Sequence, residues 1–104
     1  MKNQLRIIGG EWKRRTLPFA SIDGLRPTPD RVRETLFNWL MWHIQNTQVL
    51  DLCSGSGALA FEALSRGAAK VVMIEPNLIQ ARFLKENIQL LKAENCQLLT
   101  LTAQ

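Results

Sequence analysis

The sequence is poor in the residues that build disulfide frameworks and metal sites. Among its 104 residues are two cysteines, Cys53 and Cys96, and a single histidine. With no C-x-x-C spacing and one histidine, a metal site is not expected, and two isolated thiols fit a reducing compartment. No apolar run approaches the length of a membrane span, and residues 1–5 lack the apolar stretch of a secretory signal. These absences predict a cytoplasmic globular domain without metal and without membrane contact.

Acidic residues are also scarce, above all near the N-terminus. The chain has 13 Lys and Arg against 9 Asp and Glu, for a net charge of +4. Residues 1–33 hold eight basic and three acidic residues, so this third carries +5 and the remainder −1. A basic arm on a nearly neutral body indicates a nucleic-acid partner, the alternative being a solvated basic surface.

Glycines are few, and two of the six lie in the sequence VLDLCSGSGALA at residues 49–60. An apolar run, a small-residue loop and an apolar helical pattern predict a strand, a tight loop and a helix. Gly55 and Gly57 allow a sharp turn and close approach of a ligand, and Ala60 allows the helix to lie close to the strand. The pattern favours a nucleoside-cofactor loop, although an ordinary tight turn has the same spacing.

Two acidic residues narrow the choice of cofactor. Glu75 ends the next apolar run, about where a carboxylate grips a ribose diol. Asp51 ends the strand before the loop, where its charge repels a pyrophosphate and attracts the ammonium of S-adenosylmethionine. An NAD-type half-domain and an Asp that caps its own loop are the alternatives.

The basic N-terminal region, residues 1–24, is predicted to form a hairpin. Residues 5–8 and 11–17 alternate around Gly9 and Gly10, which predicts two strands about a Gly-Gly turn. An isolated hairpin is marginal in water, so it must dock on the body or on a partner. Trp12 lies beside Lys13, Arg14 and Arg15, a combination that suits base stacking with phosphate contact. Trp12 as a packing anchor is the alternative.

A helix is predicted next, opened by Thr28 and Pro29. An apolar stripe at helical spacing is expected to face the core; its members are Val32, Leu36, Trp39, Leu40 and Ile44. Arg26, Arg31 and Arg33 gather at the helix start, as an anion site or as a local salt-bridge cluster.

Strands and helices alternate in the remainder of the chain. Beyond the central strand we expect a helix over about 57–66, a strand over 70–74, a helix after Asn77 and a strand over 96–101. This order predicts an α/β fold with a parallel sheet and right-handed crossovers. Ligands of such sheets bind at the carboxyl ends of the strands, where Asp51, Gly55, Gly57, Glu75 and Thr102 would meet.

Several blocks of the sequence closely resemble the RsmD family of bacterial S-adenosylmethionine-dependent methyltransferases, which act on guanine N2 of 16S ribosomal RNA. The resemblance rests on RIIGG (6–10), LRPT (25–28), DRVRE (30–34), LFN (36–38), LDLCSGSG (50–57) and EALSRGA (62–68). It implies a Rossmann-like class I methyltransferase fold with an N-terminal hairpin. Residues 25–104 would form the N-terminal half of that domain.

The resemblance also implies sites and partners. The expected cofactor is S-adenosylmethionine, held by Asp51, Cys53, Gly55, Ser56, Gly57, Glu75, Pro76, Thr102 and Ala103. The expected partner is 16S ribosomal RNA in the small subunit, contacted by Arg6, Trp12, Lys13, Arg14, Arg15, Arg26, Arg31 and Arg33. No catalytic residue is assigned in this chain.

One family feature is missing. Family members carry an Asn/Asp-Pro-Pro-Phe/Tyr tetrapeptide that holds the target amine and stacks on the base. This sequence has four prolines, none adjacent to another: Pro18, Pro27, Pro29 and Pro76. We therefore expect the cofactor-binding half of such an enzyme, as a fragment or a truncated product, and a non-catalytic RNA-binding or cofactor-binding fragment is the alternative.

Overall fold

The structure, a computed structural model, describes residues 3–19, 30–52 and 56–100. Within these ranges the chain forms a two-stranded hairpin, then a helix, then alternating strands and helices. The elements in order are β1 (Asn3–Arg6), β2 (Thr16–Phe19), α1 (Asp30–Trp39), β3 (Gln48–Leu52), α2 (Ala58–Ser65), β4 (Lys70–Ile74), α3 (Leu78–Leu91) and β5 (Cys96–Leu99). In the described residues, no helix is long and apolar enough to cross a membrane.

The central sheet is parallel, in the order β3-β4-β5. Asp51 pairs with Met73 and Leu52 with Ile74, and on the other side Ile74 pairs with Leu99. Strand β4 has the bounds that the sequence predicts, because a β-branched run is bordered by Gly67 on one side and Pro76 on the other. The predicted β-α-β-α-β arrangement is confirmed.

The two faces of this sheet are covered unequally. Side chains alternate between faces along a strand, and Val71 and Met73 on one face of β4 are fully buried. Helix α2 packs against β3 and β4. On the opposite face, the side chain of Leu50 is 63% exposed. The described helices therefore cover one side of the sheet.

The hairpin forms, but its turn is longer than the sequence predicts. Strands β1 and β2 pair antiparallel, with Leu5 opposite Leu17. The connection runs over residues 7–15, where the Ile7 amide donates to the Arg15 carbonyl and the Arg14 amide to the Ile7 carbonyl, each at 2.9 Å. The predicted bounds of the second strand, 11–17, are wrong. Residues 11–14 form turns, and β2 begins at Thr16 and continues to Phe19.

The hairpin docks on the body of the domain. Leu5, Ile7 and Leu17 are buried in the same core as the helices. The Asn87 side chain on α3 donates to the Pro18 carbonyl at 2.9 Å. This bond gives a buried amide a partner and fixes β2 against α3. The domain boundary predicted at residue 24 lies outside the described residues.

Helix α1 buries a different face from the predicted one. Arg33 and Phe37 are buried, at 0% and 3% exposure, and Ile44 beyond the helix is buried as expected. By contrast, Val32 is 55% exposed and Trp39 is 76% exposed. The predicted apolar stripe is therefore wrong at these two positions, because the helix turns its arginine toward a carboxylate on α2.

Helix α3 begins and ends with clear caps. The Asn77 side chain accepts hydrogen bonds from the amides of Ile79 and Gln80, each at 3.0 Å. This is the side-chain cap that helix starts favour. Lys92 adopts a left-handed conformation, with φ 54°, and ends the helix. Leu78, the first residue of the helix, is exposed.

Candidate functional site at the carboxyl edge of the sheet

Two carboxylates flank the carboxyl edge of the sheet. Asp51 is the fourth residue of β3, and Glu75 directly follows β4. Asp51 pairs with Met73, and Glu75 comes two residues after Met73. Because successive side chains alternate between the two faces of a sheet, all three belong to the same face. With strands about 4.8 Å apart and about 3.3 Å per residue, the two acidic positions lie roughly 8 Å apart. Asp51 and Glu75, two of the five residues predicted to meet at this edge, therefore lie close together in the fold.

Glu75 is held firmly in place. Its side chain is 5% exposed, and one carboxylate oxygen accepts a hydrogen bond from the Asn77 amide at 2.8 Å. Its own amide donates to the Leu99 carbonyl on β5 at 2.9 Å. A buried carboxylate needs such partners to offset the loss of hydration. Pro76, the next predicted site residue, is exposed beside it.

The N-terminus of α2 reaches the same edge through Ser56 and Gly57. Ser56 is 3% exposed, and Gly57 is the N-cap residue with φ 83°. A Cβ on Gly57 would lie 2.5 Å from Phe61 Cε2 and 2.8 Å from Leu84 Cδ2. Glycine is needed here for both the backbone conformation and the packing of α2 on the core. The freed N–H groups of a helix N-terminus favour anionic groups.

Several predicted site residues lie outside the described residues. They are Cys53, Gly55, Thr102 and Ala103 of the cofactor set and Arg26 of the RNA-binding set. Asp51 and Glu75 both have interaction partners in the structure beyond those named above. Within the described ranges, no three His, Cys, Asp or Glu side chains gather as a metal site would require.

The exposed basic residues of the predicted RNA-binding set fall into two groups. Arg6 and Arg31 lie on the surface near the start of α1, where Arg6 is 3.8 Å from the Asp30 carboxylate. The other group, Lys13, Arg14 and Arg15, is exposed in the hairpin connection.

Arg33 corrects one member of the predicted RNA-binding set. Its side chain is fully buried and lies 2.9 Å from the Asp30 carboxylate and 3.3 Å from that of Glu62. Its guanidinium also donates to the Arg6 carbonyl. The salt-bridge alternative therefore describes Arg33, because a buried and paired guanidinium has no free surface for a phosphate.

Sequence reasoning missed the residue that organises this end of the domain. Glu62 on α2 is 1% exposed and accepts from the amides of Ile8 and Gly9, each at 2.9 Å. It also pairs with Arg66 at 2.8 Å. The available indication was the composition of α2, where Glu62 and Ser65 are the only polar residues in an otherwise apolar helix.

Comparison with known proteins places this geometry in a family. The family model described as Conserved hypothetical protein 95 matches residues 5–104. The chain is 52% identical over 96 residues to ribosomal RNA small subunit methyltransferase D of Haemophilus influenzae, covering 92% of this chain and 50% of that protein. It is 51% identical over 100 residues to the Escherichia coli protein of the same name, covering 96% and 50%.

A solved structure shows the same fold. The Escherichia coli protein yhhF superposes with a TM-score of 0.89 at 51% identity, covering 97% of this chain and 55% of that chain. The predicted Rossmann-like class I methyltransferase fold is thereby confirmed. The chain spans about half the length of the curated relatives it matches. On the family match and these identities, the chain belongs to the Conserved hypothetical protein 95 family, the RsmD family of methyltransferases.

Proposed function

We propose that this chain is the S-adenosylmethionine-binding half of a methyltransferase that methylates the N2 amine of a guanine in 16S ribosomal RNA, in the cytoplasm. One observation carries the proposal: Asp51 and Glu75 lie at the carboxyl ends of adjacent parallel strands, beside the N-terminus of α2. The names of the curated relatives support ribosomal RNA of the small subunit as the substrate.

The residues at this edge fit the chemical groups of the cofactor. Asp51 offers a negative charge to the ammonium of the methionine part. The N–H groups at the start of α2, beyond Ser56 and Gly57, suit its carboxylate. Glu75 is already oriented by the Asn77 amide, and its carboxylate accepts from the ribose hydroxyls. Cys53, Gly55, Pro76, Thr102 and Ala103 complete the proposed site.

These residues bind and orient rather than exchange protons. When bound, S-adenosylmethionine supplies an activated methyl group. The role of Asp51 and Glu75 is to fix the two ends of the cofactor, so that a guanine amine meets the methyl group in one geometry, which lowers the barrier through proximity and orientation. No described residue is assigned as a general base.

RNA contact is proposed for the predicted RNA-binding set without Arg33. Its described members are Arg6, Trp12, Lys13, Arg14, Arg15 and Arg31, and Arg26 lies outside the described residues. Cationic side chains supply the largest part of affinity for phosphates, which is strongly salt-dependent. Arg33 is not included, because it is buried against Glu62.

A second candidate is a fragment that binds cofactor or RNA without transferring a methyl group. The 104 residues lack the Asn/Asp-Pro-Pro-Phe/Tyr tetrapeptide that the family resemblance links to binding of the target amine. In either case, we propose that methyl transfer requires the polypeptide that corresponds to the other half of the relatives.

Calorimetric titration of the 104-residue chain with S-adenosylmethionine tests the cofactor assignment. We expect saturable binding that Asp51→Ala and Glu75→Gln abolish, because each removes a charged partner of the cofactor. Glu86→Gln, on the exposed face of α3, is the matched control and is expected to bind normally.

Two results would contradict the assignment. One is the absence of heat from a chain that circular dichroism shows to be folded. The other is displacement of the cofactor by NAD at equal concentration, which would favour the dinucleotide alternative.

A further inference from the structure

A cavity lies at the opposite end of the sheet from the carboxyl edge. It has a volume of about 330 Å³ and lies between the hairpin connection, the end of α2 and the loop before β5. Glu11, Trp12, Leu91, Lys92 and Asn95 are among its lining residues. This volume is within the range of small-molecule pockets, roughly 300–1,000 Å³.

Trp12 is fixed at the wall of this cavity before any ligand arrives. Its amide donates to the Ser65 hydroxyl at 2.9 Å, and that hydroxyl donates to the Gly9 carbonyl at 2.6 Å. The neighbouring Glu11 amide donates to the Ser65 carbonyl at 2.7 Å. The indole is half-buried, so one part packs on the core and another part faces outward. These bonds fix the backbone of Trp12, and its side chain packs against the core, so less entropy is lost when a flat group stacks on the ring.

The charged side chains that line the cavity are Glu11, Glu94 and Lys92, and three further cations belong to the hairpin connection that forms one of its walls. Lys13 and Arg14 follow Trp12 directly and are exposed. The Arg15 guanidinium reaches the Leu90 carbonyl at 3.5 Å, next to the cavity wall at Leu91 and Lys92. These four cations outnumber the two nearby carboxylates, Glu11 and Glu94. An aromatic wall beside a run of exposed cations suits unpaired nucleic acid, whose bases stack on the ring while the cations neutralise its phosphates.

The position of this cavity separates it from the cofactor site. Its walls lie at the C-terminal ends of α2 and α3, and therefore at the amino ends of β4 and β5. Strand β4, with five residues, places roughly 16 Å between this end and Glu75. A single nucleotide cannot occupy both places.

We propose that this cavity is a second RNA subsite, in which an unpaired nucleobase stacks on Trp12 while Lys13, Arg15 and Lys92 hold the flanking phosphates. The proposal rests on the proposed function in taking RNA as the substrate. It adds that the chain grips a nucleotide other than the methylated guanine, at the far end of the domain. Polar groups of Glu11 and Asn95 are available to the edge of the base.

Fluorescence of Trp12 tests this directly. In the full chain carrying Trp39→Phe and Trp42→Phe, Trp12 is the single indole, and both replaced side chains are largely exposed. We expect a single-stranded RNA of about 12 nucleotides to quench its emission, and a duplex of equal length to quench it far less. In anisotropy titrations, Trp12→Leu should weaken single-stranded binding roughly five- to hundredfold, Trp12→Phe much less, and Trp42→Leu not at all.

A change in the ligand keeps the test independent of variant folding. The same RNA backbone made abasic keeps its phosphates but should bind the unaltered chain roughly five- to hundredfold more weakly, whereas equal binding of the abasic RNA would overturn the proposal. So would an unquenched Trp12, or quenching by an oligolysine peptide in place of RNA, which would assign the cavity to a basic protein segment.

Cofactor titration separates this proposal from the previous one. Trp12→Leu should bind S-adenosylmethionine as the unaltered chain does. Loss of cofactor binding with retained Trp12 quenching would contradict the proposed function alone, whereas the reverse pattern would contradict the RNA subsite alone.

Discussion

Arg33 and Glu62 form an ion pair in the interior of the domain, with 3.3 Å between Nε and the carboxylate and at most 1% exposure on either side chain. The same carboxylate accepts two hairpin amides, from Ile8 and Gly9, and pairs with Arg66 on the next turn of α2. One side chain therefore connects the hairpin, α1 and α2. The hairpin connection that carries Trp12 and its cations is fixed through this carboxylate.

Glu62→Gln should lower the free energy of unfolding of the domain far more than a substitution at an exposed position. The amide keeps the shape but removes the buried countercharge of Arg33, which keeps only the half-exposed Asp30 carboxylate at 2.9 Å, and breaking a buried pair costs about 3–5 kcal/mol. Urea unfolding followed by circular dichroism measures this, with Glu86→Gln on the exposed face of α3 as the control, expected to lie within about 0.5 kcal/mol of the parent. A loss below about 1 kcal/mol would show that Asp30 alone is a sufficient countercharge for Arg33.

Gly57→Ala should be more costly than Gly67→Ala, although both glycines have positive φ, of 83° and 104°. A Cβ at either position meets the conformational cost of about 1–3 kcal/mol. At Gly57 it also collides with Phe61 and Leu84, whereas at Gly67 its nearest atom is Gln45 Cγ at 3.2 Å. Overpacking should add about 1–3 kcal/mol at Gly57 alone. Equal urea midpoints for the two variants would show that packing plays no part.

The parallel sheet was predictable because residues next to each element in the sequence indicate where that element begins and ends. Strand β4 lies between Gly67 and Pro76, and α3 starts at Asn77, whose side chain caps it. The position of Glu75 after β4 follows from the same residues. Residue type and spacing are sufficient where the physical cause lies within a few residues of its effect.

The burial of Arg33 was not predictable from neighbouring residues in this way. Ranking by hydrophobicity places Val32 and Trp39 inside, but the carboxylate that draws Arg33 inward belongs to Glu62, on a different helix. The prediction of the hairpin turn is wrong for the same reason, because the Ile8 and Gly9 amides donate to Glu62, more than 50 positions away. Long-range polar contacts decide these details, and single-sequence patterns do not contain them.

Replacing a large side chain by alanine should lower the free energy of unfolding more on the covered face of the sheet than on the exposed face. Met73 is fully buried under the helices, so Met73→Ala should cost about 2–5 kcal/mol. Leu50, on the other face, is 63% exposed, and Leu50→Ala should change the free energy of unfolding by about 0.5 kcal/mol or less. Urea unfolding at two protein concentrations checks both values. A large, concentration-dependent loss for Leu50→Ala would show that copies of the chain cover this face.

Cys96 should react slowly with thiol reagents in the folded chain. Burial raises the pKa of its thiol from 9.0 to about 11, and the thiolate is the reactive form. At about pH 8, a difference of two pKa units makes Cys96 react about a hundredfold more slowly than an ordinary thiol.

The same shift makes the stability of the domain fall as the pH rises from about 9 to about 11, because the unfolded chain loses this proton first. Reaction with Ellman's reagent in a Cys53→Ser background isolates Cys96, and the urea-unfolded chain gives the reference rate. Equal rates in the folded and unfolded chains would mean that β5 opens faster than the reagent reacts, and that the third strand of the sheet is not stably held in this half of the fold.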